Sequence, residues 1–188
     1  MKRIVILACT DRPESNTLRF SKYLKPHYEK LGVQASVVSL QDYPLEQVVG
    51  GKYGEKIPSV TSFNNTILEA DGLVFVIPEY NGSFPGIFKM FIDYLPFPAS
   101  FLGKPISFVG VANGAFGGLR AVEQAQQVVG YRNAYVFPER VFLARFSKNF
   151  SDENGLTEEM QQKLLRSQMR NFVTYINQTL PPVDLETP

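Results

Sequence analysis

Apolar residues along this chain occur in two patterns: short, nearly continuous runs, and longer stretches in which every third or fourth residue is apolar. The run from Leu73 to Ile77 is the clearest of the first kind, and it is typical of a strand buried on both faces. Stretches of the second kind predict amphipathic helices. The predicted strands are 3–9, 34–40, 72–77, 105–112 and 133–137. The predicted helices run from a cap at Ser15 or Asn16 to 31, and over 61–70, 85–95, 119–129 and 156–178.

Alternating strands and helices predict an α/β fold in which helices cover both faces of a parallel sheet. We expect a three-layer sandwich of five strands in the order 2-1-3-4-5, formed by a single domain over residues 1–180, with a loose tail at 181–188. Residues 42–56 are a candidate flap, and 139–154 are expected to be exposed. The apolar stripe of the last helix is predicted to contain Leu156, Met160, Leu164, Leu165, Met169, Phe172, Val173 and Ile176.

The composition narrows the function classes. Hydrophobic residues make up 44% of the 188 residues, charged residues 20%, and the net charge is +1. These values are globular and imply neither a nucleic-acid partner nor a membrane span. Residues 4–7 are interpreted as a core strand rather than a signal peptide, because Asp11 and Arg12 follow so soon. One cysteine, Cys9, and one histidine, His27, fit a cytoplasmic protein and make a structural metal site unexpected.

The loop after the first predicted strand has the composition of an anion site. Thr10, Ser15, Asn16 and Thr17 offer hydroxyl, amide and backbone donors at the start of a helix, and Arg12 adds a positive charge. Ordinary helix capping by the same residues explains the pattern equally well. The pattern alone leaves both interpretations open. The dinucleotide fingerprint G-x-G-x-x-G and the P-loop signature are missing, which disfavours a Rossmann dehydrogenase and a P-loop NTPase.

The loops after the third and fourth strands are also polar or rich in glycine. Tyr80, Asn81, Gly82 and Ser83 follow the third strand, and residues 113–118 follow the fourth. In the order 2-1-3-4-5, the first, third and fourth strands are neighbours, so their loops would form one continuous site at the carboxyl edge of the sheet. A tyrosine and several amide donors there can stack on a flat ring and bind its edge.

Three segments together resemble the NAD(P)H-dependent FMN reductases of flavodoxin-like fold, a family that includes azobenzene, chromate and quinone reductases. Residues 78–93, PEYNGSFPGIFKMFID, resemble the family signature P-E-Y-N-x-S-x-P-G-x-L-K-N-x-I-D closely. Residues 10–17, TDRPESNT, resemble its phosphate loop, and residues 113–121, NGAFGGLRA, resemble its third loop, G-G-x-R-A. The similarity covers roughly residues 3–140. Cys9 stands where the family has a glycine.

The resemblance implies that FMN is the cofactor and that NADPH or NADH donates a hydride to it. The flavin would pass the electrons from N5 to a small-molecule acceptor in ping-pong fashion, so no side chain is expected to be catalytic. Residues from all three loops would bind FMN, those of the first loop at its phosphate: Thr10, Arg12, Ser15, Asn16, Thr17, Pro78, Glu79, Tyr80, Asn81, Gly82, Ser83, Asn113, Gly114, Gly117 and Gly118.

Two alternatives remain, together with a question of assembly. A flavodoxin-like electron carrier is disfavoured by the net charge of +1, because carriers that dock on basic partners are expected to be acidic. A flavin-free binding module on the same fold is supported by Asp11 and Glu14, whose charge opposes that of a phosphate. The family resemblance implies a homodimer or homotetramer. Six aromatic residues could form either its interface or a wide core stripe: Phe84, Phe88, Phe91, Tyr94, Phe97 and Phe101.

Overall fold

A computed structural model describes residues 1–179 and shows five parallel strands in the order β2-β1-β3-β4-β5, which confirms the predicted sheet. The elements along the chain are β1 Arg3–Ala8, α1 Asn16–Glu29, β2 Gln34–Ser39, α2 Leu45–Val48, α3 Pro58–Leu68, β3 Gly72–Pro78, α4 Gly86–Asp93, β4 Pro105–Val111, α5 Leu119–Tyr131, β5 Tyr135–Leu143, α6 Phe146–Asn149, β6 Phe150–Ser151, β7 Gly155–Leu156 and α7 Glu159–Gln178. The predicted tail at 181–188 lies outside the described residues. The predicted end of the domain at residue 180 lies outside them as well.

Alternation of side chains along the strands creates a core on each face of the sheet. Phe75 belongs to the core beneath α3, α4 and α5, whereas its neighbour Val76 belongs to the core beneath α1 and α7. All seven residues of β3 and all seven of β4 are buried, as the continuous apolar run predicted. The sheet is therefore covered on both sides, and its carboxyl edge is where loops can form a site.

The fifth strand is longer than its sequence pattern indicated. It continues past 137 to Leu143, and its register against β4 shifts where Pro138 would otherwise interrupt the ladder. Buried Gln168 of α7 compensates, because its Nε2 donates to the carbonyl oxygens of Phe108 and Glu139, both at 2.9 Å. The prediction that 139–154 is exposed is wrong in part, since Phe146 and Phe150 are both buried.

Two further boundaries differ from the sequence prediction. The last helix begins at Glu159, where Glu158 caps it, and Leu156 instead pairs in the short β6–β7 ribbon. Met160 and Leu164 lie outside the buried stripe, with 57% and 50% of their surface exposed. The candidate flap begins at the last residue of a 3-10 turn, Leu40–Asp42, and contains α2, and its Tyr43 is buried. None of the helices described here is long and apolar enough to cross a bilayer.

The aromatic residues around α4 divide between core and surface. Phe88, Phe91 and Phe101 are completely buried, which confirms the core-stripe interpretation for these three. Phe97 has 69% of its surface exposed and stacks on the guanidinium group of Arg132, 5.1 Å from the ring centroid. Phe84 and Tyr94 are half-buried, so Phe97 is the one residue of the six that is exposed to a partner subunit.

Candidate functional site

The loops that follow β1, β3 and β4 meet at the carboxyl edge of the sheet and enclose a cleft of about 630 Å³. This volume falls within the range of roughly 300–1,000 Å³ that is usual for small-molecule and cofactor sites. The structure brings fourteen of the fifteen predicted site residues into its wall: Thr10, Arg12, Ser15, Asn16, Thr17, Pro78, Glu79, Tyr80, Asn81, Gly82, Asn113, Gly114, Gly117 and Gly118. Ser83 lies outside that wall, and its hydroxyl donates to Gln124 Oε1 at 2.5 Å.

The first loop ends at the N-terminus of α1, and Ser15 is its cap. Ser15 Oγ accepts the N–H of Leu18 at 3.2 Å and lies 3.0 Å from Thr17 Oγ1. The capping interpretation is thus confirmed, but it does not use up the donors of the helix end. The N–H groups of Asn16 and Thr17 come too early in the helix for an intrahelical acceptor. They therefore remain able to bind an anion beside the cap.

The charges around this helix end have both signs. Arg12 is exposed and lines the cleft, and so does Glu14, which adopts a left-handed backbone conformation with φ of 51°. Asp11 is exposed but does not line the cleft. Of the two carboxylates that supported a flavin-free module, only one therefore lies in the cleft wall.

The second loop is a tight hairpin. The N–H groups of Tyr80 and Ser83 each donate to the other's carbonyl oxygen, at 2.8 and 3.0 Å. Asn81 and Gly82 between them have φ of 52° and 77°, the left-handed pair that a type I′ turn requires. The Tyr80 hydroxyl lies 2.9 Å from Thr10 Oγ1 and so connects the second loop to the first.

The third loop is fixed by close backbone packing. A Cβ atom at Gly117 would lie within 2.8 Å of backbone atoms of residues 142–144, and one at Gly110 would lie 2.4 Å from the Gly117 carbonyl oxygen. Gly117 and Gly118 also have positive φ. A Cβ at Gly114 would meet no atom within 4 Å. The need for glycine at 117 and 118 therefore comes from the fold, whereas Gly114 opens toward the cleft.

Sequence reasoning missed seven residues of the cleft wall, namely Pro13, Glu14, Val111, Ala112, Ala115, Phe116 and Arg120. Arg120 is the most informative, because its position in the sequence allows it to face either a nucleotide or a partner subunit. Its Nη1 donates to Glu79 Oε1 at 2.7 Å, and its guanidinium carbon lies 5.0 Å from the Phe116 ring centroid. Its position one turn into a helix that follows a glycine-rich loop was the available signal.

Cys9 lies just beneath the cleft but is not placed to react. It is completely buried, and burial raises the pKa of its thiol well above the ordinary value. A neutral, enclosed thiol is a packing group. Within residues 1–179, no group of three or more histidine, cysteine or carboxylate side chains could bind a metal ion.

Comparison with known proteins agrees with the geometry. Residues 2–148 match the model of the family described as NADPH-dependent FMN reductase. An NAD(P)H-dependent FMN reductase of Pseudomonas aeruginosa is 29% identical over 122 residues, which cover 63% of this chain and 66% of that protein. An NADPH azoreductase of Bacillus sp. is 26% identical over 141 residues, or 75% and 76% of the two chains. The solved structure of a flavoenzyme NAD(P)H:(acceptor) oxidoreductase from Paracoccus denitrificans has a TM-score of 0.78 at 21% identity, covering 95% and 99%.

Proposed function

Because the chain belongs to the NADPH-dependent FMN reductase family, we propose that its three-loop cleft binds FMN and passes a hydride from NAD(P)H to a second small-molecule acceptor. The family consists of flavin-dependent oxidoreductases that use FMN and NAD(P)H. The observation that carries the proposal is the convergence of three motif loops on one cleft beside the first turn of α1. Backbone donors at that helix end can bind a phosphate, and the surrounding loops can enclose a flat ring.

The residues of the cleft fit the cofactor. At the phosphate end, the free N–H groups of Asn16 and Thr17 would act with the Arg12 guanidinium and the Ser15 hydroxyl. At the other end, Tyr80 and the loop of residues 113–118 would enclose the ring. Exposed Gly114 leaves room there for backbone groups to approach it closely.

The protein's own contribution is binding and orientation. When bound, FMN supplies the hydride chemistry, accepting at N5 from the nicotinamide and donating to the acceptor. The Thr10–Tyr80 hydrogen bond and the packing of Gly117 against residues 142–144 fix the loops before any ligand arrives. Such preorganisation lowers the entropy cost of orienting two reactants. No carboxylate or histidine of this chain is assigned a proton-transfer step.

The floor of the cleft supports the ping-pong order. Thr10 and Val111, at the ends of their strands, are buried against the core, so that side of the cleft is closed by packed atoms. Both substrates would then approach from the same open side, and one would leave before the other enters. The acceptor class we propose is a flavin, a quinone, an azo compound or a metal oxyanion.

An anaerobic titration tests this function. FMN-loaded protein is titrated with NADPH without acceptor, and then a quinone such as benzoquinone is added. We expect the flavin absorbance to bleach with one equivalent of NADPH and to return on addition of the quinone. When NADPH is varied at several fixed quinone concentrations, the double-reciprocal plots of initial rate should be parallel lines. A protein that binds FMN but is not reduced by NADPH would instead be an electron carrier, and intersecting lines would contradict the ping-pong order.

The predicted homodimer or homotetramer also remains a proposal. Its support is an exposed apolar surface between α4 and α5, where Phe97 and Tyr131 have 69% and 83% of their surface accessible. Exposed aromatic pairs of this kind are enriched at interfaces. Sedimentation equilibrium of the wild type and of a Tyr131→Lys variant is the measurement. A wild-type monomer would contradict the proposal.

A further inference from the structure

Among residues 1–179, two basic residues line the cleft, Arg12 and Arg120, and only Arg12 lies where the FMN phosphate is proposed to bind. Arg12 belongs to the loop before α1, whereas Arg120 belongs to the first turn of α5, after the loop that follows β4. FMN has a single phosphate group. The second cation, Arg120, is therefore not needed for that phosphate, and Glu79 is its one anionic partner within residues 1–179.

Helix stability does not explain the position of Arg120. A positive charge in the first turn of a helix is unfavourable, because the free N–H groups there already create a positive potential. The N-cap of α5 is Gly118, which has no side chain to satisfy those N–H groups. Arg120 and the uncapped helix end thus place free N–H donors side by side at the cleft, with the Glu79 carboxylate balancing the Arg120 charge.

The contacts of Arg120 leave most of its donors free. Within residues 1–179 only Glu79 accepts a hydrogen bond from it, through one of the five guanidinium N–H groups. The Arg120 side chain is 54% exposed, whereas that of Glu79 is only 14% exposed, so breaking the pair would leave a largely buried carboxylate without its partner. The Phe116 ring covers one face of the guanidinium plane and restricts its orientation. The guanidinium N–H groups that Glu79 does not use can therefore donate to a phosphate while the ion pair stays in place.

We propose that Arg120 binds a phosphate group of the nicotinamide dinucleotide, and that Glu79 holds Arg120 in place when no dinucleotide is bound. This inference rests on the proposed function and assigns a binding residue for its hydride donor. The phosphate is either the pyrophosphate, which NADH and NADPH share, or the 2′-phosphate, which only NADPH has. Arginine binds both in the same bidentate way.

The two members of the ion pair should respond in opposite directions. Arg120→Gln removes the charge-assisted hydrogen bonds to phosphate and should raise the dissociation constant of the dinucleotide about tenfold. Glu79→Gln releases Arg120 and removes a negative charge that repels phosphate, so it should lower that constant about two- to fivefold. If the pair only fixes the loop, both variants should weaken binding alike.

The experiment is calorimetric titration of FMN-loaded protein with NADP⁺ and, separately, NAD⁺, neither of which can reduce the flavin. Arg12→Gln is the matched control: it should raise the dissociation constant of FMN about tenfold and leave that of NADP⁺ unchanged at saturating FMN. Gln124→Leu is the structural control, because it breaks the hydrogen bonds of Gln124 to Gly82 and Ser83 without changing charge. Its NADP⁺ binding should match that of the wild type.

The outcomes separate the phosphate sources and the two proposals. Weaker binding of NADP⁺ alone in Arg120→Gln assigns the 2′-phosphate, and equal weakening of NADP⁺ and NAD⁺ assigns the pyrophosphate. Unchanged binding of both, or weaker binding in Glu79→Gln as well, would overturn the inference while leaving the FMN cleft intact. A wild-type protein that binds no FMN would instead overturn the proposed function itself.

Discussion

Raising the pH from 7 to 9.5 is expected to increase the contribution of Lys104 to the stability of the fold. This lysine precedes β4 at the edge of the sheet opposite the cleft, and only 9% of its surface is exposed. Its Nζ donates to the carbonyl oxygens of Ile67 and Leu68 at 2.6 and 2.9 Å, in the last turn of α3. Burial lowers the pKa of Lys104 from 10.5 to about 8, against the opposing effect of Asp71.

The sign follows from proton binding. Below pH 8 the lysine is protonated in both states, and the folded protein bears the cost of a buried charge. Between pH 8 and 10.5 the unfolded chain keeps the proton and the folded chain loses it, so the free energy of unfolding rises with pH. With a pKa of 10.5 in the unfolded chain and about 8 in the folded protein, the free energy of unfolding rises by about 2 kcal/mol from pH 7 to 9.5. The neutral amine still has two N–H groups, so both carbonyl oxygens remain hydrogen-bonded.

Other buried groups oppose this trend, and the assay must cancel them. Burial raises the pKa of Cys9 and raises the pKa of Tyr43 to about 12, so both groups ionise first in the unfolded chain and lower stability at high pH. Urea unfolding of the wild type and of Lys104→Met is therefore compared across the range. The difference between their free energies of unfolding should rise by about 2 kcal/mol in favour of the wild type from pH 7 to 9.5. A difference that does not change with pH would refute the reasoning.

Three further predictions concern the supports of the cleft. Gly117→Ala should lower the free energy of unfolding by about 2–4 kcal/mol, because its Cβ would meet backbone atoms. Gly114→Ala should change that free energy by less than about 0.5 kcal/mol, because its Cβ would meet nothing within 4 Å. Equal urea midpoints for the two variants would contradict this prediction. Gln168→Leu leaves the carbonyl oxygens of Phe108 and Glu139 without this donor and should lower the free energy of unfolding by about 2 kcal/mol in the same assay. An unchanged urea midpoint would mean that the register shift in β5 needs no side-chain donor. A double-mutant cycle with Thr10→Val and Tyr80→Phe should give a coupling of about 1 kcal/mol, and a coupling of zero would show that the two hydroxyls do not connect the loops.

The sheet and the position of the cleft could be predicted because their signals are local. The run at 72–78 is apolar throughout, and a central strand covered on both faces needs that pattern. In the expected order 2-1-3-4-5, the first, third and fourth strands are neighbours, so their polar or glycine-rich loops are predicted to form one site. All fourteen predicted residues in the cleft wall lie within the three motif segments, which begin at or just after the ends of three neighbouring strands, and Pro78 ends β3 itself.

The errors occurred where tertiary contacts override local pattern. Pro138 indicated the end of β5, yet the strand continues because Gln168, thirty residues later in the chain, supplies the missing donor. Met160 and Leu164 match the period of α7 but lie beyond the edge of its buried stripe. Arg120 could not be assigned because its partner Glu79 lies 41 residues away. None of these contacts produces a periodic pattern in the sequence.

Fluorescence titration of FMN into Ser15 variants tests the proposal that the N-terminus of α1 binds the phosphate of FMN. Asp and Asn are both good N-caps of nearly equal size, so Ser15→Asp and Ser15→Asn should have similar melting temperatures. They differ by one negative charge at the helix end. We expect Ser15→Asp to bind FMN at least tenfold more weakly than Ser15→Asn, since a carboxylate there repels the phosphate. Equal affinities in the two variants would place the phosphate elsewhere and contradict the account.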